Sequence, residues 1–289
     1  MIPVVYYHAG AIRNATSAPR HLEVSINQCK KFNDQVFLLG DESNSHLDAD
    51  HHNIAEYSDG IDEFRLAYKH MSSNSMEFEM ACIERWIVLA NFVKKMNLDK
   101  VVYLDSDIMT FCNYGEVETS FGDDYDAMVC SGERFGPSID RPDYWVVAGC
   151  VSYWKHDTIL KFKDFIYRCY SDKFDQLLAK WDYHQNSDCA GGICDMALMY
   201  LFYFENNLHS LCKVRNNSTF DQNFYVPENY LRDEYAVSGR GKTITWKEEN
   251  LLDLDKNVHP TPYYHNILID DSGDTLVRVN AIPELARFF

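Results

Sequence analysis

Two aspartates one residue apart, Asp105 and Asp107, follow directly on the apolar run Val101-Val102-Tyr103-Leu104. In extended backbone, residues two apart point to the same side. Both carboxylates would therefore face one point, where they repel each other unless a cation sits between them. Oxygen ligands of this kind suit Mn²⁺ or Mg²⁺, which commonly complete their shell with water and substrate phosphates. The chemistry implied by Asp105-Ser106-Asp107 is a metal bridging carboxylates and a diphosphate, acting as a Lewis acid on the leaving phosphate.

Other residues have types that would serve such a centre. Arg85 falls on an apolar helical stripe made by Phe78, Cys82, Leu89, Phe92 and Met96. A buried arginine is costly unless it meets an anion. Asp195 opens an apolar helix, where the helix dipole favours the ionised carboxylate. Asp188 lies on the loop before it.

These residues need a scaffold, and the patterning predicts an α/β one. Residues 2–7 and 35–39 read as strands and 19–32 as a helix, which makes a βαβ unit with a parallel sheet. Residues 41–53 are polar and read as a solvated loop. Asn74 and Glu77 have capping-box spacing before a helix over 75–97. Strands are expected over 101–104, 127–130 and 145–153, and helices over 157–170 and 194–205. The tail from 213 to 289 mixes short strands and loops. Ligands of open α/β sheets bind at the carboxyl ends of the strands. That rule puts a ligand over His8, Ala9 and Gly10, with Asp41 beside it.

Composition narrows the partners. The 289 residues are 46% apolar with no linker-like tract, so one domain over 1–289 is expected. A net charge of −17 argues against nucleic acid and anionic membranes. The nine cysteines suit buried thiols in a reducing compartment. Cys189 and Cys194 have no second pair to complete a zinc site. No apolar run is long enough to span a bilayer, and the first strand lacks the basic flank of a signal peptide. A cytoplasmic protein is expected, with the sequons at Asn14, Asn216 and Asn217 unused.

The string Leu98-Asp99-Lys100-Val101-Val102-Tyr103-Leu104-Asp105-Ser106-Asp107-Ile108 resembles the DxD region of GT-A glycosyltransferases, in the form of the glycogenin and bacterial galactosyltransferase-like group. The resemblance implies a nucleotide-diphospho-sugar transferase fold: a Rossmann-like sandwich with a central, mostly parallel sheet, a nucleotide-sugar donor half at 1–110 with the nucleotide over His8, Ala9 and Gly10 and the base beside Asp41, and an acceptor half with a tail at 111–289. It implies Mn²⁺ or Mg²⁺ and transfer from a nucleotide sugar, UDP-sugar first and GDP-sugar second, to a glycan, glycolipid or protein hydroxyl. Arg85 resembles the family's helix arginine at the donor. Val147-Ala148-Gly149-Cys150 resembles its strand beside the donor sugar, which brings in Gly149. Gly191-Gly192-Ile193-Cys194-Asp195 sits where the family has an acidic residue near donor and acceptor. Asp195 would then be the general base of an inverting enzyme, or hold donor hydroxyls in a retaining one, with Asp188 the second candidate. The family's late His-x-x-Gly-x-x-Lys motif has a histidine that ligates the metal; Tyr264-His265-Asn266-Ile267 departs from it, and the resemblance makes His265 the candidate third metal ligand and His259 its rival, an imidazole that would favour Mn²⁺. A nucleotidyltransferase, a sugar-nucleotide hydrolase and a non-catalytic sugar-nucleotide binding module are the competing readings.

Overall fold

The computed structural model describes residues 2–10, 20–106, 108–110, 112–122, 124–131 and 145–211, and the backbone of strands 235–238, 243–246, 263–265, 267–269 and 275–277. Asp107, His259 and the three sequons lie outside the described residues. So does the side chain of His265.

Seven strands form the central sheet. They are β1 (Val4–His8), β2 (Val36–Gly40), β3 (Asp50–Asn53), β4 (Lys100–Leu104), β6 (Ala127–Cys130), β7 (Ala148–Lys155) and β8 (Leu208–Ser210), in spatial order β3-β2-β1-β4-β7-β6-β8. A short strand, β5 (Ile108–Thr110), lies outside this sheet. Strands β3, β2, β1 and β4 are mutually parallel, β7 runs against both β4 and β6, and β8 is parallel to β6. Only β7 opposes the rest, so the sheet is mostly parallel, as expected.

The parallel strands are apolar on both faces because helices cover both. On one face lie α1 (Arg20–Cys29) and α4 (Tyr114–Phe121). Leu22, Ile26 and Tyr114 pack there with Val4, Val102 and Leu104. On the other face lie α2 (Ile61–Ala67), α3 (Met76–Lys95), α5 (His156–Cys169), α6 (Phe174–Asn186) and α7 (Asp195–Glu205). Trp86, Ile87, Phe162 and Phe202 pack there with Val5, Val101 and Tyr103. Period-two alternation along β4 thus sends Val101 and Tyr103 toward α3, and the next residue in that phase is Asp105.

Three expectations are corrected. Residues 50–53 form edge strand β3, paired in parallel with β2, where a loop was expected. An edge strand has one neighbour and one row of ladder bonds, so it needs little apolar character. The N-cap of α3 is Ser75, whose hydroxyl accepts from Phe78 N at 3.3 Å. Asn74 instead donates to Glu79. The α3 stripe is also wider than read, because Ile83, Trp86, Ile87, Ala90 and Val93 are all buried while Phe78 and Met96 are exposed. A helix wedged between a sheet and other helices buries most of its girth.

The tail contributes β9 (Tyr235–Ser238) paired with β10 (Thr243–Trp246), and β12 (Ile267–Ile269) paired with β13 (Thr275–Val277). Between them, β11 (Tyr263–His265) pairs antiparallel with β5. Among the described residues, no helix is long and apolar enough to cross a membrane.

Candidate functional site

Arg85 is the hub of the candidate site. It leaves the third turn of α3 facing the carboxyl end of β4. Its Nη1 donates to Asp105 Oδ1 at 2.7 Å and to the Tyr103 hydroxyl at 3.2 Å. Its Nη2 donates to Asp195 Oδ2 at 2.5 Å. Tyr103 donates in turn to Asp105 Oδ1 at 3.0 Å, and Trp86 Nε1 donates to Asp195 Oδ2 at 3.0 Å. One guanidinium therefore joins a strand end to a helix start across 110 residues of sequence.

Electrostatics follow from that geometry. Burial alone pulls the Arg85 guanidinium down, and the carboxylates of Asp105 and Asp195 more than reverse this, leaving it well above its ordinary value. Burial, followed by the Asp105 carboxylate, pushes the Tyr103 phenol up, although Arg85 opposes the shift. Tyr103 thus remains a donor at neutral pH. Burial, reinforced by Asp195, raises the thiols of Cys82 and Cys194 to about 12, so neither is a thiolate nucleophile.

Backbone contacts fix the turn that carries the acidic motif. Asp105 N donates to Cys150 O at 2.9 Å, and Ile108 N donates to Asp105 O at 3.2 Å, closing the turn through Ser106. Gly149 sits beneath it in β7. A Cβ there would lie 2.5 Å from the Trp86 ring and 2.8 Å from Met199 Cε. The lack of a side chain there leaves room for the Trp86 ring, which holds Asp195. On the far side of the motif, the β5–β11 ladder sets His265 opposite Ile108.

A second group gathers at the ends of β1 and β2. These strands are neighbours in register, with His8 opposite Gly40. Asn44, fully buried, donates to His8 O at 2.8 Å, and its Oδ1 accepts from His51 Nε2 at 3.0 Å in the tautomer that carries the proton on Nε2. Asp41 Oδ1 accepts from Ser43 N at 2.9 Å and from Ser43 Oγ at 2.5 Å. Gly10 faces that turn closely, since a Cβ on it would lie 2.1 Å from Ser43 Oγ. His8, Ala9, Gly10 and Asp41 are thus brought to one end of the sheet. Asp188 takes no part in the Arg85 hydrogen bonds; it is exposed, with φ 49°, on the turn after α6.

Sequence reasoning missed three members. Tyr103 was available from its phase, two residues before Asp105. Trp86 adjoins Arg85, but its indole bond to Asp195 is long-range and has no local signal. Asn44 sat in a segment read as solvated.

The donor set suits a hard cation as far as it is described. Among the described residues Asp105 Oδ2 has no hydrogen-bond partner, and the side chain is partly exposed. Arg85 supplies one positive charge against the two carboxylates of Asp105 and Asp195, so the group is anionic even before Asp107 is counted. No cluster of three metal-ligating side chains occurs among the described residues.

No protein-family model and no curated protein matches the sequence. Solved structures do match in shape. Mouse xyloside xylosyltransferase 1, in its apo form, superposes with a TM-score of 0.50 at 11% identity, over 73% of this chain and 84% of that one. The galactosyltransferase LgtC, in complex with donor and acceptor sugar analogs, gives a TM-score of 0.45 at 10% identity, over 99% of each chain. The glycosyltransferase GlyE of Streptococcus pneumoniae gives 0.36 at 17% identity, over 73% of this chain and 46% of that one. The likeness to the xylosyltransferase is one of fold, and the fold is the GT-A arrangement.

Proposed function

We propose that this chain is a metal-dependent glycosyltransferase that moves a sugar from a nucleotide-diphosphate donor, UDP-sugar first, to a hydroxyl of a glycan, glycolipid or protein. The observation that carries this reading is the Arg85 bridge. It gathers Asp105, at the carboxyl end of a parallel strand, and Asp195, at a helix start, on the edge of a GT-A sheet where ligands bind.

Asp105 would hold Mn²⁺ or Mg²⁺, with Asp107 and His265 completing the protein ligands. The register of β11 against β5 supports His265 for that role. The cation supplies neutralisation of the charge that builds on the departing diphosphate.

The chain's own residues do the rest. Asp105 and Asp195 hold Arg85 charged and fixed, so its hydrogen bonds need no rearrangement as the bond breaks. Asp195 Oδ2 is taken by Arg85 and Trp86, while its Oδ1 has no hydrogen-bond partner among the described residues and would accept from a sugar hydroxyl. The base and ribose belong over His8, Ala9, Gly10 and Asp41, where Asn44 locks the two strand ends together. Asp195 is positioned for donor hydroxyls in a retaining enzyme or for the acceptor proton in an inverting one, and product stereochemistry separates the two.

The test is a thermal-shift screen of UDP, GDP, CMP and their sugar conjugates, each with Mn²⁺ and with EDTA. A ligand at about 100 times its Kd adds roughly 2.7 kcal/mol. The expected result is a metal-dependent rise with one nucleotide, lost in Asp105→Asn and weakened in His265→Ala. A well-folded protein that shifts with none of them refutes the reading.

A further inference from the structure

Glu79 is one of the most deeply buried charged groups in the molecule, at 1% exposure, and it lies in the first turn of α3, not in the site. Its Oε1 accepts from Ser72 Oγ at 2.7 Å and from Asn74 Nδ2 at 2.8 Å. Its Oε2 is buried, with no hydrogen-bond partner among the described residues. A carboxylate held in this way costs stability unless the bonds it makes secure something. The helix dipole at the start of α3 offsets part of that cost.

What the bonds secure is a strap, residues 71–75, that is stitched to residues 191–193. Ile193 N donates to Met71 O at 2.7 Å, and Ser73 N donates to Gly191 O at 2.9 Å. Gly191 N donates to Ser73 Oγ at 2.8 Å, and Ser72 bridges Gly192. The contact is so close that a Cβ on Gly192, whose φ is +144°, would lie 2.2 Å from Met71 O. Two residues beyond Ile193 comes Asp195. The path from Glu79 through the strap to Asp195 returns to α3 at Arg85 and Trp86, forming a closed ring of contacts.

We propose that Glu79 is a positioning residue for the sugar-transfer site, holding Asp195 in register with Arg85 by hydrogen-bonding the 71–75 strap. The kinetic part of this rests on the proposed function; the structural part does not. The role needs an acceptor oxygen, and Glu79→Gln keeps one for Ser72 and Asn74, whereas Glu79→Ala keeps none.

The experiment reads two signals from the full chain. The first is the indole ¹H–¹⁵N resonance of Trp86, assigned by its loss in Trp86→Phe, which reports the bond to Asp195 directly. The second is kcat and donor KM. Glu79→Ala is expected to move the Trp86 resonance and lower kcat about tenfold to a hundredfold, since small misplacements cost that much, with donor KM within about threefold of wild type, as for an interaction made only in the transition state. Glu79→Gln is expected to restore both signals. Ser72→Ala is expected to shift the resonance the same way by less, and decides the matter alone if Glu79→Ala does not fold. An unmoved resonance in the variants that fold overturns the proposal, as does an unchanged kcat in Glu79→Ala or a Glu79→Gln that behaves like it. Should the wild type transfer no sugar at all, the function reading fails while the Trp86 resonance still decides whether Glu79 positions Asp195.

Discussion

Arg85 faces two carboxylates from two different elements, through two different nitrogens. That is a task for a planar guanidinium, since a lysine ammonium is a single point of charge on a flexible stem. Arg85→Lys should therefore keep the protein folded and lower transfer by about 10²-fold or more, the scale of losing one preorganised donor. Arg85→Ala should do more. It strands the buried Asp195 without its cation, and breaking such a pair costs about 3–5 kcal/mol. Urea unfolding measures this, and adding Asp195→Asn to Arg85→Ala should recover part of the loss as a coupled pair does. Equal urea midpoints for wild type and Arg85→Ala would mean the bridge contributes nothing to the fold.

Between elements, β7 and α3 approach closely under the site at Gly149. Gly149 leaves room for the Trp86 ring, and a methyl group there would overlap both that ring and Met199. Met199 Cε sits at a flexible end, but Trp86 is packed between Tyr103, Trp154 and Phe162, with ring centroids at 4.7, 5.7 and 5.8 Å. Gly149→Ala should thus cost about 1–3 kcal/mol, the usual range for overpacking, and should also loosen the Trp86 bond to Asp195. A denaturation midpoint unchanged by this substitution would show that α3 can retreat from the sheet. Elements with a strong apolar signature were legible in the sequence: β1, β2, β4, β6 and β7, and helices α1, α3, α5 and α7. Those missed had weak signatures for physical reasons. Strand β3, Asp-His-His-Asn, is an edge whose side chains are mostly half-exposed. Helix α6 buries Leu177, Lys180 and His184, a stripe in which two of three members are titratable. The candidate site was legible where costly residues stand in apolar company, as at Asp105, Arg85 and Asp195, which the fold brings together. Its ring of supports, Trp86, Asn44 and Glu79, depends on partners far along the chain and leaves no local pattern.

At the scale of the whole molecule, the same burial that fills both faces of the sheet makes stability depend on alkaline pH. Among the described residues eight cysteines are free thiols. Burial pushes Cys29 from 9.0 to about 11, and Cys82, Cys169 and Cys194 from 9.0 to about 12. Burial also raises the phenols of Tyr6, Tyr103, Tyr114 and Tyr153 well above 10.0. Each of these groups keeps its proton longer in the fold than in the unfolded chain. As pH rises past 9 the unfolded chain therefore binds fewer protons, and the free energy of unfolding falls with pH. The contribution is fully present below about pH 9, the unfolded thiol value, and is lost progressively up to about 12. With the thiols kept reduced, the melting temperature should be nearly level from about pH 7 to pH 8.5 and then fall with increasing slope toward pH 11. Substituting buried Cys169 with alanine should remove one proton's share of that slope, at most about 1.4 kcal/mol per pH unit. Substituting exposed Cys189 with serine should leave the slope unchanged. A melting temperature that stays level to pH 10.5, or a slope that responds to Cys189 and not to Cys169, would mean that the buried thiols ionise without opening the sheet.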